Sequence, residues 1–228
     1  LSPHEGQYRV TLLCNFERAT NSAANALLKT LEEPASQVVL ILTAIDPGAL
    51  LPTIVSRCQI IALRPLASPV MIEALQNQWG ASFAQAELLA QLATGRLGWA
   101  VRALADPELL ERRERYFGEL LELMAGSRVE RLAYAQKISR DTIALKEILH
   151  LWLTIWRDLL LLQSNVAHTK IMNLDWQERL QSLSRSTNLS QAVEIVARLR
   201  TALINLERNV NPRLNLEVLL LHLPHSRP

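Results

Sequence analysis

The chain has 228 residues, 49% of them hydrophobic and 20% charged, with a formal net charge of +2. That length admits one large domain or two to three small ones, and the apolar content is enough for a core. Wholesale disorder is excluded, since it needs low hydrophobicity and high net charge. The charge balance leaves no strong electrostatic footprint for nucleic acid.

The first third reads as α/β. Residues 8–14 form an apolar run rich in strand formers. Residues 21–33 read as a helix, with Asn21 as its cap and Pro34 as its stop. Val38 to Thr43 is a second strand whose lack of alternation predicts cover on both faces. Asp46-Pro47-Gly48 is a turn signal, and a short helix over 50–56 carries Pro52 in its first turn. Residues 59–63 read as a third strand, ended by Pro65.

Beyond Pro65 helical periodicity takes over. Helices are predicted over 68–78 (capped by Ser68, with Pro69 at its first position), 83–94 and 97–104, making a small three-helix unit. Asp106-Pro107 marks a boundary. Longer amphipathic helices follow over 107–125, 128–139, 142–164, 175–185, 189–207 and 213–222. The most apolar run, 149–162, contains His150, Arg157 and Asp158 and is shorter than the ~20 residues a bilayer span needs. It reads as a buried helix, and no membrane partner is expected. Arg112, Arg113 and Arg115 alternate with Glu108, Glu111, Glu114 and Glu119, the spacing of a solvated, self-paired face.

Metal and cofactor signals are missing. Cys14 and Cys58 can form neither a disulfide framework nor a four-ligand zinc site by themselves. They fit a reducing cytoplasm, the expected localisation. His4, His150, His168, His222 and His225 lack the i,i+4 spacing of a metal site. No Gly-x-x-x-x-Gly-Lys-[Ser/Thr] phosphate loop occurs. The residues therefore predict no bound metal and no cofactor. The chain opens on Leu1 with no apolar signal segment, and we expect it to be the C-terminal part of a longer protein.

Three segments carry chemical information: NALLKTLEEP at 25–34, LLPTIVSRC at 50–58 and GRLGWA at 95–100. On local physics alone, Arg57 would be a cation at a helix C-terminus, favoured by the dipole. In this order, however, the segments resemble the bacterial DNA polymerase III clamp-loader subunits, which are AAA+ proteins related to replication factor C. The resemblance implies the C-terminal half of an AAA+ core over 1–66, a three-helix lid over 67–106 and an all-α collar over 107–228. It implies that Arg57 is an arginine finger acting in trans on a neighbour's ATP, with Ser56 and Cys58 completing the motif that aims it. A guanidinium suits that task, being planar, always charged and rich in donors.

The resemblance also points away from hydrolysis by the chain itself. Cys14 and Asn15 stand where ATP-hydrolysing members carry Asp and Glu. A thiol is a poor ligand for magnesium, and an amide cannot act as a carboxylate. Gly98 stands where motor subunits usually place a nucleotide-sensing arginine. A kept finger with lost hydrolytic residues matches the delta-prime pattern. The expected partners are the gamma/tau motor and delta subunits in a hetero-pentamer, with primed DNA and the sliding clamp reached through the complex. The alternatives are a gamma/tau-like ATPase and an inactive helical interaction module.

Overall fold

The computed structural model describes residues 7–164 and 171–225. His4 and His168 lie outside them. The chain divides into two compact units, 1–63 and 64–228.

In the first unit, strand β1 (Arg9–Leu13) and strand β2 (Val38–Leu42) pair in parallel, with Val10 opposite Val39 and Leu12 opposite Ile41. Helix α1 (Asn21–Glu32) makes the crossover that parallel pairing requires. Its N-cap is Thr20, whose hydroxyl accepts from the Ala23 amide at 3.2 Å. Asn21, the cap read from sequence, is instead the first helical residue. Both residue types cap well, and the extended backbone of Thr20 decides between them. Helix α2 (Pro52–Val55) is one turn long and is anchored by Ile54, which is 1% exposed.

Two sequence expectations fail in this unit. Residues 59–63 form no strand and pair with neither β1 nor β2; Ile60, Ile61 and Leu63 are exposed. A strand exists through its cross-strand bonds, so β-rich composition without a partner does not make one. Nor is β2 covered on both faces. Val10, Leu12, Val39 and Ile41 share one sheet face, and all four are exposed.

The second unit is helical. Helices α3 (Ser68–Trp79), α4 (Phe83–Ala93) and α5 (Leu97–Ala105) enclose a core of Met71, Leu75, Ala86, Leu89, Ala90 and Ala100. The first of these is preceded by Ala67, not capped by Ser68, because helical geometry already includes Ser68. Ser82 and Gln85 form a capping box at the start of α4. At Gly95 (φ +86°) an added Cβ would lie 2.4 Å from the Pro65 Cβ, so only glycine permits the close pass there.

Helices α6 (Pro107–Ala125), α7 (Arg128–Ile138), α8 (Thr142–Gln163), α9 (Gln177–Ser186), α10 (Leu189–Glu207) and α11 (Pro212–Leu221) build a second, larger core. The apolar run on α8 is its axis: Leu149, Trp152, Ile155, Trp156 and Leu159 are fully buried. Trp152 donates its indole N–H to the Tyr116 carbonyl at 2.9 Å, which meets the polar requirement of a buried tryptophan.

The charged stripe on α6 is only partly self-paired. Arg112 does reach Glu108 and Asp106. Arg113 instead pairs with Asp175 and Asn173 and lies 3.6 Å over the Trp176 ring. Glu114 accepts from Trp176 and Arg179. Side chains four apart on one helix can meet, but these found partners from α9 and the turn before it.

Candidate functional site

The site builds outward from α2. Asp46 takes the Gly48 amide at 2.6 Å, and this short turn leads through Leu50 into the helix. Pro52 starts α2, and Ile54 fixes it from below. Four residues exhaust the helix, so Ser56, Arg57 and Cys58 emerge at its C-terminal end. The Ser56 amide donates to the Pro52 carbonyl, and its hydroxyl donates to the Thr53 carbonyl at 3.2 Å. The Cys58 amide donates to the Val55 carbonyl, and its thiol is half-buried. These bonds close the turn that displays Arg57.

The Arg57 guanidinium is partly open to solvent, with 34% of its side chain exposed. Its Nη1 donates to the Thr53 carbonyl at 2.9 Å and approaches the Ser56 hydroxyl at 3.3 Å. Its Nη2 lies 2.6 Å from the Glu32 carboxylate at the end of α1. A cation at a helix C-terminus satisfies the last carbonyls, so the local reading holds as far as it goes. The contact with Glu32 was not visible from spacing, because 25 residues separate the pair in sequence.

Cys14 and Asn15 follow β1 directly, at the C-terminal end of the parallel pair, where open α/β sheets place their ligands. Both are exposed. Asn15 adopts a left-handed backbone, φ 53°. Thr43, just past β2, holds this corner: its hydroxyl accepts the Asn15 amide at 3.0 Å and its carbonyl accepts the Phe16 amide at 2.8 Å. Among the described residues, no hydrogen bond or ion pair joins Arg57 to Cys14 or Asn15.

Beneath α2 lies a hollow of about 160 Å³, lined by Glu17, Asn21, Ala24, Leu51 and Ile54 among others. Ligand pockets usually span ~300–1,000 Å³, so this one is too small for a nucleotide. Gly98 sits in the first turn of α5, and a side chain there would meet open space. Packing therefore does not impose the glycine. Arg96, two residues earlier, folds back to donate from Nε to the Ala93 carbonyl at 3.1 Å. Among the described residues, no cluster of three His, Cys, Asp or Glu side chains could hold a metal, and no helix is long and apolar enough to cross a membrane.

A family profile described as DNA polymerase III, delta subunit, matches residues 1–67, and its C-terminal counterpart matches 107–225. This chain belongs to the DNA polymerase III delta-subunit family. DNA polymerase III subunit delta' of Bacillus subtilis is 30% identical over 223 residues, covering 96% of this chain and 65% of that protein. Subunit delta' of Pseudomonas aeruginosa is 53% identical over 53 residues, covering 23% of this chain and 16% of that protein. Subunit tau of Escherichia coli is 40% identical over 65 residues, covering 28% of this chain and 10% of that protein. The chain thus spans less than two thirds of the length of these relatives. This delta-family chain is mostly helical, with a small parallel sheet at its start.

Proposed function

We propose that this delta-family chain is a non-hydrolysing arm of the DNA polymerase III clamp loader, acting in DNA replication in the cytoplasm. It lends Arg57 in trans to ATP held by a neighbouring motor subunit. It also scaffolds the loading of a sliding clamp onto primed DNA. Its partners are gamma/tau motor subunits and delta, in a hetero-pentamer. The division of labour is a partial AAA+ core over 1–66, a lid over 67–106 and a collar over 107–228.

One observation carries this reading: Arg57 stands on the exposed end of α2, its charge accessible, on a turn closed by Ser56 and Cys58. A positioned guanidinium can stabilise the charge that develops on a transferring phosphoryl group, and such fingers supply ~10³–10⁵ in rate where measured. The end of β1 supports the other half of the proposal. A magnesium-bound nucleotide needs hard oxygen ligands and a carboxylate to orient water, and Cys14 and Asn15 offer a thiol and an amide. That chemistry disfavours a gamma/tau-like ATPase.

The test is Arg57→Ala in the reconstituted complex. Assembly should be intact by size-exclusion chromatography, and ATP turnover by the motor subunits should fall at least tenfold. Unchanged turnover would sink the arginine-finger assignment.

A further inference from the structure

Glu32 breaks a local rule. It is the last residue of α1, where the helix dipole disfavours an anion, and Pro34 prevents the helix from running past it. The compensating cation is Arg57, whose Nη2 lies 2.6 Å from the Glu32 carboxylate. We infer that Glu32 is a positioning residue for Arg57. This inference rests on the finger role proposed above.

The geometry gives the reason. An arginine side chain has many rotamers, and a finger must present its fork in one orientation. Here the guanidinium is held from two helices at once. Nη1 is fixed by Thr53 and Ser56 of its own turn, and Nη2 is fixed by Glu32 of α1. Three of its five N–H donors are engaged. Among the described residues, Nε and the second Nη2 hydrogen have no acceptor, and two donors are what a phosphate oxygen pair accepts. Half of the Glu32 side chain is exposed, and an ion pair so open to water adds little to stability. Its effect is therefore orientation, and its removal should leave the fold intact.

The experiment uses the full-length protein reconstituted with its motor and delta subunits, with ATP turnover measured against ATP concentration. Glu32→Ala should lower kcat about three- to tenfold with KM and thermal melting unchanged, since misplacing a catalytic group costs the transition state and not ground-state binding. Glu32→Gln keeps an acceptor oxygen of the same reach and should restore most of the rate. The double variant Glu32→Ala/Arg57→Ala should be no slower than Arg57→Ala, because Glu32 acts only through Arg57. If Arg57→Ala slows turnover while Glu32→Ala leaves it unchanged or raises it, Glu32 does not position the finger, although the finger role stands. If Arg57→Ala itself has no effect, the underlying reading fails, and Glu32 falls with it.

Discussion

Arg131 is a buried cation that, among the described residues, pairs with no carboxylate. Only 5% of it is exposed, yet its guanidinium makes five hydrogen bonds, all to backbone carbonyls. Nε donates to Leu123 at 2.8 Å and Nη2 to Met124, both at the end of α6. Nη1 donates to Leu220 and Leu223, and Nη2 also to Pro224, at the end of α11. The Leu123 and Met124 carbonyls are orphan acceptors of the α6 C-terminus, which carries partial negative charge; the other three lie at or just past the end of α11. Burial, followed by repulsion from Arg128, lowers its pKa below the usual arginine value. Arg131→Met should leave four of these carbonyls without a donor, Leu220 keeping the Leu223 amide, and cost about 3 kcal/mol, read as a lower urea midpoint at constant m. Arg131→Lys should fall between the two, since an ammonium has three donors. A destabilisation within ~0.5 kcal/mol would show that water replaces the guanidinium without penalty.

At the scale of elements, α6 and α9 are joined by a stack of two rings held between two cations. Arg113 covers Trp176, Trp176 stacks on Phe117 at 4.4 Å between centroids, and Arg179 lies 4.3 Å over Phe117. Glu114 closes the stack by accepting from Trp176 at 2.7 Å and from Arg179. Burial alone would raise its carboxyl pKa. The hydrogen bonds from Arg179 and Trp176, with the charges of Arg179 and Arg113, outweigh it and bring the pKa below 4.5. A carboxyl depressed in the folded state contributes stability above its unfolded pKa and loses it as pH falls through the folded value. The join should therefore weaken below about pH 4.5. Glu114→Gln should melt lower at pH 7 and show a flatter acid limb between pH 5 and 3. Equal acid slopes for the two proteins would rule out Glu114 as a source of that dependence.

The helices of this chain were legible because their signals are local. Capping residues, Pro at first positions and 3.6-residue periodicity lie within a few residues of what they specify, and the turn at Arg57 follows from Pro52 and Ser56 in the same way. What sequence concealed was long-range. Arg113 meets Asp175 across 62 residues, and Glu32 meets Arg57 across 25. Neither spacing has a period. Residues 59–63 have strand composition but no strand to pair with, and composition does not carry that information.

The same distinction governs the whole molecule. Both apolar cores lie entirely within 64–228. In the described part of the first unit, the buried apolar side chains are Ala24 and Ile54, while Val10, Leu12, Val39 and Ile41 are exposed. A two-stranded sheet is marginal by itself, and domains of about 60 residues already bury too little surface to be robust. The two units should therefore differ sharply in autonomy. A fragment of residues 64–228 should keep its helical circular dichroism and unfold in one cooperative transition. A fragment of residues 1–63 should show neither cooperative melting nor protected amides in hydrogen exchange. A cooperative melt of the 1–63 fragment would mean that the sheet and its two helices hold together without covering the Val10–Ile41 face. Arg57 would then sit on a platform that is rigid by itself. Without that melt, the orientation of Arg57 depends on whatever orders the first unit, and Arg57 chemistry can be measured only in the assembled protein.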